Sequence, residues 1–222
     1  MDNFDVYSDI KARTNGEIYI GVVGPVRTGK STFIKRFMEL MVLPEMVDEH
    51  QKTQTRDELP QSAAGKTIMT TEPKFIPKEA AEIRLGDEIE AKVRLIDCVG
   101  FMVEGAAGHI ENDEERLVKT PWFEYEIPFT KAAEIGTRKV INDHSTIGVV
   151  ITTDGTIGEL KRPNYIAAEE RTITELKELG KPFIVLLNSV RPYSDETTAL
   201  AKDMREKYGV TVMPVNCEQL KK

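Results

Sequence analysis

Residues that build disulfide frameworks and zinc sites are scarce in this sequence. Of its 222 residues, two are cysteines and three are histidines. Cys98 and Cys217 lie far apart and near none of the histidines, so the sequence has no zinc-binding spacing. Since a disulfide framework requires more cysteines, a reducing cytoplasm is the expected compartment.

Long hydrophobic runs and a basic leader segment are absent as well. The longest apolar stretches, at residues 147–151 and 183–187, have the length of buried strands and are far too short to span a bilayer. The first residues, MDNFDVYSDIKAR, are acidic where a signal peptide is basic. We therefore expect a cytoplasmic protein that spans no membrane and reaches one only peripherally or through a partner.

The charge balance argues against nucleic acid as a partner. Lys and Arg number 30 against 37 Asp and Glu, which gives a net charge of −7 at pH 7. With no block of basic residues, the chain has no concentrated positive charge that would attract nucleic acid or anionic lipid. A composition of 40% hydrophobic and 30% charged residues is typical of a globular protein with a full core, which excludes intrinsic disorder. No repeat or linker divides the sequence, so we expect one domain over residues 1–222.

The second half of the sequence alternates between helix-like and strand-like patterns. This alternation indicates an α/β fold with a mostly parallel sheet that helices cover on both faces. In such sheets, ligands bind at the carboxyl ends of the strands. Helices are predicted at residues 131–143, 164–179 and 194–208, and strands at residues 146–152, 182–188 and 211–215.

The first half of the sequence is less regular. A predicted strand over Glu17–Val23 is followed by a predicted helix at residues 30–40. Residues 83–85 and 92–96 predict an antiparallel hairpin around the turn Gly86-Asp87. Two further stretches are expected to be irregular. The first is residues 42–66, which overlaps a switch-like loop assigned to 43–75, and the second is residues 101–129, within an insertion loop at 101–130.

A phosphate-binding motif lies between the first predicted strand and helix. Residues 24–31, GPVRTGKS, satisfy the pattern G-x-x-x-x-G-K-[S/T] in the required context. The glycines let backbone N–H groups point at phosphate oxygens, and the helix that follows adds its positive end. We expect Lys30 to reach the β and γ phosphates and Ser31 to ligate Mg²⁺. The expected nucleotide contacts in this loop are Gly24, Arg27, Thr28, Gly29, Lys30, Ser31 and Thr32.

A second motif, D-x-x-G, ends the predicted strand at residues 92–96. Behind a phosphate loop, Asp97 is expected to hold Mg²⁺, through a water or through Ser31, while the N–H of Gly100 faces the γ-phosphate. A hairpin that leads into D-x-x-G resembles translation-factor-type and Ras-type nucleotide hydrolases. The fold class is therefore predicted to be a P-loop NTPase of GTPase-like topology, with one antiparallel hairpin strand in a mostly parallel sheet.

Nucleotide hydrolases of this branch usually contribute a threonine from the loop before the hairpin, which senses Mg²⁺ and the γ-phosphate. The candidates in this sequence are Thr67, Thr70 and Thr71. The adjacent pair Thr70 and Thr71 is best placed, and Thr71 is included among the expected metal ligands. Which of the two is the sensor stays open.

The base-reading and water-orienting residues of guanine-specific members are missing. Their N-K-x-D motif is replaced by Asn188-Ser189-Val190-Arg191, so we expect ATP rather than GTP, with Asn188 and Ser189 at the nucleotide. Phe101 occupies the position of the water-orienting glutamine, which predicts slow hydrolysis or help from other groups. Arg27 is a candidate to neutralise charge between the β and γ phosphates, although an arginine that faces solvent or a partner's acid is an equal alternative.

Four long segments carry a resemblance that goes beyond these motifs. They resemble the N-terminal ATPase domain of the stage IV sporulation protein A family, over essentially the whole chain. The resemblance implies ATP hydrolysis with Lys30 as the phosphate-loop lysine, Asp97 as the Walker B acid, and Thr70 and Thr71 as sensor threonines. The segments are GVVGPVRTGKSTFIKRFMEL (21–40), DELPQSAAGKTIMTTEPKF (57–75), AAEIGTRKVINDHSTIGVVITTDGTIGE (132–159) and KPFIVLLNSVRPY (181–193).

The resemblance also implies a biological setting. In this family, hydrolysis drives a conformational change that permits polymerisation into the basement layer of the spore coat. The expected location is the mother-cell side of the forespore's outer membrane, and the expected partners are further copies, other coat proteins and a small amphipathic membrane-anchored peptide. Family proteins continue well beyond this domain, so the resemblance implies that the regions for polymerisation and peptide recruitment are not among these 222 residues.

Two alternative functions remain compatible with the residues. The first is a GTP-dependent switch that acts on a partner, which the missing N-K-x-D motif disfavours. The second is a scaffold that binds a nucleotide without hydrolysing it, which Phe101 in the glutamine position favours.

Overall fold

The computed structural model describes residues 16–60, 71–85, 89–106, 108–111 and 114–221. In chain order its strands are β1 (Glu17–Val23), β2 (Lys74–Leu85), β3 (Ile89–Asp97), β4 (Ile110–Glu111), β5 (Glu114–Glu115), β6 (Leu117–Thr120), β7 (Phe123–Pro128), β8 (Ile147–Thr153), β9 (Phe183–Asn188) and β10 (Val212–Val215). Its helices are α1 (Lys30–Phe37), α2 (Glu49–Glu58), α3 (Phe129–Lys139), α4 (Arg162–Glu178) and α5 (Asp195–Tyr208). A π-helical turn continues α1 over Met38–Val42 and another continues α3 over Val140–His144, while a short 3-10 turn covers Leu43–Glu45.

Six strands form the central sheet in the order β10-β9-β8-β1-β3-β2. All neighbouring strands are parallel except β2 and β3, which pair in antiparallel fashion. Val22 of β1 lies opposite Asp97 of β3 on one side and Val149 of β8 on the other. The carboxyl ends of β1, β3 and β8 therefore meet at one edge of the sheet. The predicted α/β fold with one antiparallel hairpin strand is confirmed.

Both faces of the sheet are buried, because its parallel strands are nearly continuous runs of Val, Ile and Leu. On one face, Phe33, Ile34 and Met38 of α1 and its continuation pack against β1, β3 and β8. On the other face, α4, α5 and the end of α3 pack against the same sheet. Each large aliphatic side chain buried in this way contributes about 1.5–3 kcal/mol to the stability of the folded state. This packing holds in place the strand ends that carry the site.

The segment at residues 42–66 is less irregular than predicted. It contains α2, which begins after the N-cap residue Asp48, whose carboxylate accepts from the N–H groups of His50 and Gln51. The helix was missed because it buries little more than Thr55 and so shows no apolar periodicity. Residues 61–70 lie outside the described part of the chain.

The segment at residues 101–129 is also more ordered than predicted. It contains two small antiparallel pairs, β4 with β5 and β6 with β7, and α3 begins at the fully buried Phe129. The strands of the predicted hairpin are longer than expected. The first strand was predicted too short because Pro77 and a register shift between Ile76 and Ala81 interrupt the alternation of side chains along β2. Its turn residues Gly86 and Asp87 lie outside the described residues.

The second-half helices and strands lie within two residues of their predicted bounds, apart from the π-helical continuation of α3. Among the residues that the structure describes, none of the helices is both long and apolar enough to cross a bilayer.

Candidate nucleotide-binding site

The phosphate loop connects β1 to α1, as the sequence predicted. Its backbone takes left-handed conformations at Gly24 (φ 128°), Arg27 (φ 59°) and Gly29 (φ 92°). Glycine is required at position 29, since an added Cβ would lie 2.4 Å from the Asn188 amide nitrogen. Arg27 adopts the same region at a steric cost of about 1 kcal/mol, so its conformation is imposed by the loop around it.

Lys30 lies inside the loop at the start of α1. Its side chain is buried, and its Nζ donates to the carbonyl oxygen of Pro25 at 2.6 Å and to that of Gly24 at 3.5 Å. Burial lowers the pKa of the Lys30 ammonium, while Cys98 and Asp97 act in the opposite direction. A buried cation that is held by neutral carbonyls is well suited to exchange them for phosphate oxygens.

The Ser31 hydroxyl donates to Oδ2 of Asp97 at 2.8 Å, which joins the start of α1 to the end of β3. The other oxygen, Oδ1, is buried and has no hydrogen-bond partner among the described residues. Burial raises the pKa of Asp97, although Lys30 and the Ser31 hydrogen bond lower it in part. An orphaned carboxylate oxygen beside a serine hydroxyl fits a hydrated Mg²⁺, which prefers oxygen ligands.

No cluster of three or more His, Cys, Asp or Glu side chains suited to a metal ion occurs in the described parts of the chain. An ion held by Ser31 and Asp97 therefore needs further oxygen ligands from water or from a bound phosphate group. This dependence is the usual arrangement for Mg²⁺ in nucleotide sites.

Gly100 packs directly on the phosphate loop. A Cβ at this position would lie 2.1 Å from the Gly24 carbonyl oxygen and 2.7 Å from Lys30 Nζ, so only glycine allows the contact. The sequence predicted that its N–H faces the γ-phosphate. In the structure this N–H donates to the Thr137 hydroxyl of α3 at 3.1 Å. For the Gly100 N–H to bind a phosphate, its hydrogen bond to the Thr137 hydroxyl would have to break.

Phe101, in the position of the water-orienting glutamine, is buried. Its carbonyl accepts from the N–H of Val26 at 2.9 Å, and the Arg171 guanidinium lies 4.3 Å from its ring centroid. Arg171 also pairs with Glu134 of α3 and, at 3.3 Å, with Glu175 of α4. The ring therefore serves packing, and it brings no polar group to the phosphate loop.

The two expected sensor threonines differ in how far the structure describes them. Thr70 lies outside the described residues, as does Thr67. Thr71 is buried beside α3, where a Cβ added at Gly136 would lie 2.4 Å from the Thr71 carbonyl oxygen. Gly136 precedes Thr137, the residue of α3 that binds Gly100, so Thr71 lies beside this part of the helix. The role of Thr71 as a metal ligand stays a prediction.

A cavity of about 740 Å³ extends from the phosphate loop to the carboxyl ends of β9 and β10. Three expected nucleotide contacts, Arg27, Gly29 and Thr32, line its inner end, and Asn188 lines its wall. The Asn188 amide nitrogen donates to the Thr28 carbonyl at 3.0 Å, and its oxygen accepts from the N–H of Cys217 at 3.0 Å. Asn188 thus ties the phosphate loop to the segment after β10.

Ser189 lies outside this cavity, although the sequence predicted it at the nucleotide. It is fully buried, and its hydroxyl contacts the Thr197 hydroxyl at 3.3 Å and accepts from the N–H of Arg191 at 3.0 Å. The side chain is directed toward the start of α5. Its hydrogen bonds hold the turn after β9.

Sequence reasoning missed eight residues that complete the cavity lining. Three of them, Lys35, Arg36 and Glu39, belong to α1 and its π-helical continuation, and the other five lie at the opposite side of the cavity. These five follow three strands of the parallel sheet, and this placement at carboxyl ends is the signal that could have identified them. The five residues after strands are Thr156, Ile157, Val190, Asn216 and Glu218.

Known proteins resemble this chain over its whole length. A family model described as "Stage IV sporulation protein A, ATPase domain" matches residues 1–222. Stage IV sporulation protein A of Bacillus subtilis (strain 168) is 58% identical over 221 residues, and that of Clostridioides difficile (strain 630) is 56% identical over 218 residues. The alignments cover 100% and 98% of this chain but 45% and 44% of the relatives. The chain therefore spans less than half the length of these relatives.

The fold is shared with solved structures of Era. Aquifex aeolicus Era bound to GDP and AlF4⁻ superposes with a TM-score of 0.53 at 15% identity, covering 92% of this chain and 52% of that chain. Era in complex with MgGDPNP and a segment of 16S ribosomal RNA gives a TM-score of 0.52 at 15% identity, with the same coverage. At this level of identity, the likeness concerns the fold alone.

Proposed function

This chain belongs to the stage IV sporulation protein A family, in which it corresponds to the ATPase domain, and we propose that it hydrolyses ATP with Mg²⁺ at residues 24–31. The observation that carries the proposal is the 2.8 Å hydrogen bond between Ser31 and Asp97. It joins the phosphate loop to the end of β3 and leaves one carboxylate oxygen of Asp97 for a hydrated cation.

Each residue of the site has a definite task in this proposal. Lys30 exchanges the carbonyl oxygens of Gly24 and Pro25 for phosphate oxygens and balances their negative charge. The N–H groups at the start of α1 bind phosphate, because the positive end of the helix points there. Ser31 and Asp97 hold Mg²⁺, which when bound neutralises charge on the β and γ phosphates.

ATP is preferred over GTP in this proposal. The Lys and Asp of a guanine-reading motif are replaced by Ser189 and Arg191, and the Ser189 hydroxyl is directed into the protein. The turn after β9 therefore offers no carboxylate to the N1 and N2 positions of guanine. A site without such partners gains no discrimination for guanine.

Hydrolysis is proposed to drive a conformational change that leads to self-assembly of a spore coat layer. The segment after D-x-x-G supports such coupling, since Phe101 connects the phosphate loop to Arg171 of α4 and, through Glu134, to α3. The proposed setting is the mother-cell side of the forespore's outer membrane. The proposed partners are further copies, other coat proteins and a small amphipathic membrane-anchored peptide, with no nucleic acid among them.

Assembly is tested with a full-length member of the family that carries this domain. The protein is incubated with ATP or with a non-hydrolysable analogue, and the assembled fraction is measured by ultracentrifugation. We expect sedimentation with ATP only, and no sedimentation for Lys30→Ala. Equal assembly with the analogue would show that hydrolysis is not the driving step.

A non-hydrolysing nucleotide-bound scaffold is the second candidate function. The buried Phe101 ring favours it, because the water-orienting position carries no polar group. Binding of ATP without any release of phosphate would support the scaffold. The remaining alternative, a GTP-dependent switch, requires preferential binding of GTP.

A further inference from the structure

Two turns meet at the wall of the cavity that extends from the phosphate loop, one after β8 and one after β9. Thr156 belongs to the first turn and Val190 to the second, and both line the cavity. The Thr156 hydroxyl accepts from the N–H of Val190 at 3.0 Å, which ties together two turns that are 34 positions apart in the sequence. The position of this wall therefore depends on how the Thr156 side chain is held.

Asp154 holds the Thr156 side chain in place. Its Oδ1 accepts from the Thr156 hydroxyl at 2.6 Å and from the Thr156 N–H at 3.0 Å. Its Oδ2 accepts from the Thr197 hydroxyl of α5 at 3.1 Å. Asp154 stands behind the cavity wall, since the cavity is lined by Thr156 and not by Asp154. The carboxylate therefore connects the turn after β8 to the first turn of α5.

The charge of Asp154 sets the direction of these hydrogen bonds. Burial raises the pKa of Asp154, but hydrogen bonds from Ser189, Thr156 and Thr197 outweigh burial, so its pKa lies below the ordinary value and the carboxylate is ionised at neutral pH. An ionised carboxylate only accepts, so the Thr156 and Thr197 hydroxyls both donate to it. The lone pairs of the Thr156 oxygen are then left for the Val190 N–H.

The start of α5 fixes the other end of this hydrogen-bond network. Thr197 is buried, and its hydroxyl contacts that of Ser194 at 3.1 Å and that of Ser189 at 3.3 Å. Ser194 is the N-cap residue of α5, and its side chain accepts from the Thr197 N–H at 3.2 Å. The position of Asp154 is therefore fixed by a helix as well as by its own turn.

We propose that Asp154 is a positioning residue for the nucleotide, which through Thr156 fixes the cavity wall against which the nucleoside part of ATP packs. This inference rests on the proposed function, since phosphates bound at residues 24–31 leave the nucleoside part to the cavity that extends from this loop. A wall that is already fixed loses little freedom when the ligand binds, so affinity is gained without a further contact.

The test measures equilibrium binding of ATP and of inorganic tripolyphosphate, each with Mg²⁺, to the unmodified chain and to Asp154→Ala. ATP should bind roughly five- to fiftyfold more weakly to Asp154→Ala, because the wall is no longer held in place. Tripolyphosphate has no nucleoside part, so its affinity should change less than about twofold. Asp154→Asn keeps an acceptor for Thr156 and should recover most of the affinity for ATP.

A second variant, Thr197→Val, keeps the size of the side chain and removes the hydroxyl through which α5 holds Asp154. It should weaken ATP binding by about two- to tenfold and leave tripolyphosphate binding unchanged. This variant tests the same network without altering the carboxylate or the turn that carries it.

Asp48→Ala is the matched control. The Asp48 carboxylate also accepts from two main-chain N–H groups, those of His50 and Gln51, but Asp48 caps α2 and lines a different cavity. Its loss should leave both affinities within about twofold of the unmodified chain.

Equal affinity for ATP in Asp154→Ala and in the unmodified chain would overturn the role of Asp154 while leaving the proposed function intact. An equal loss for ATP and for tripolyphosphate would overturn it as well, since the substitution would then have disturbed the phosphate loop and not the wall. Failure of the unmodified chain to bind ATP would instead overturn the proposed function, and this inference with it.

Discussion

Ser31 and Asp97 are 66 positions apart in the chain, yet the hydroxyl of one donates to the carboxylate of the other at 2.8 Å. Parallel pairing of β1 with β3 places Val22 opposite Asp97, which brings the end of β3 beside the phosphate loop. Because the loop follows β1 and Asp97 ends the neighbouring strand β3, both are positioned by the same sheet. This relationship supports the proposed Mg²⁺ site and leads to the first prediction.

Asp97→Asn should remove Mg²⁺-dependent hydrolysis while leaving the fold intact. Asparagine keeps the size of the side chain and can still accept from Ser31, but it loses the charge that a divalent cation requires. We expect phosphate release to fall at least about a hundredfold. Release is measured over a titration with Mg²⁺, beside Asp203→Asn, which changes an exposed carboxylate on α5. Unchanged Mg²⁺ dependence in Asp97→Asn would refute the metal site.

Arg27→Gly should slow hydrolysis more than it weakens ATP binding. Glycine suits the left-handed backbone at this position, so the substitution removes the guanidinium without adding strain. If the guanidinium stabilises charge that develops between the phosphates, the rate constant should fall roughly ten- to a thousandfold. Arg36→Ala, which removes another arginine from the same cavity, is the control and should show a smaller effect. Equal rates in Arg27→Gly and the unmodified chain would assign Arg27 to solvent or to a partner.

Thr137→Val should favour nucleotides that carry a γ-phosphate. The substitution removes the acceptor that occupies the Gly100 N–H, so this donor no longer has to leave a partner to reach the phosphate. We expect the ratio of ATP affinity to ADP affinity to rise roughly three- to tenfold, measured by titration calorimetry. Thr172→Val is a matched control, because Thr172 makes the same bond to the carbonyl four residues earlier but does not contact Gly100. A ratio that stays constant in Thr137→Val would mean that Gly100 does not reach the γ-phosphate.

A buried ion pair between Arg162 and Glu169 holds α4 against β8 and α5. Glu169 is fully buried and accepts from both terminal nitrogens of Arg162, at 2.6 and 2.7 Å, and from the Tyr208 hydroxyl at 2.8 Å. Arg162→Met would leave this carboxylate without its charge partner. The free energy of unfolding should then fall by about 3–5 kcal/mol in denaturant titrations.

The control for this prediction is the exposed pair Lys202–Glu206, which is 3.9 Å apart. Lys202→Ala should change the free energy of unfolding by less than about 1 kcal/mol, since exposed ion pairs contribute little. Similar losses for both variants would contradict the buried network. A loss confined to Arg162→Met would support it.

The parts of the site that could be predicted are those encoded locally. The phosphate loop is a run of eight residues between a strand and a helix, and Asp97 follows a recognisable apolar strand. Both therefore appear in the sequence as patterns, and the structure joins them through Ser31. The parallel sheet could be predicted for the same reason, since its strands are short apolar runs separated by helices.

The parts that could not be predicted depend on contacts between distant segments. The bond from Gly100 to Thr137 requires α3 to lie beside D-x-x-G, and no periodicity in either segment indicates it. Ser189 occupies the lysine position of the guanine-reading N-K-x-D motif, but its hydroxyl contacts the Thr197 hydroxyl at the start of α5 and not the cavity. Glu218 stands in a polar turn without a motif, so only the cavity identifies it.

Phosphate release from ATP and from GTP, measured separately with Mg²⁺ for this chain and for Lys30→Ala, tests the central claim most directly. The account predicts that ATP is turned over faster than GTP and that turnover disappears in Lys30→Ala, because no other described ammonium lies inside the phosphate loop. Turnover of GTP at an equal or higher rate, undiminished release in Lys30→Ala, or tight ATP binding with no phosphate released would contradict it.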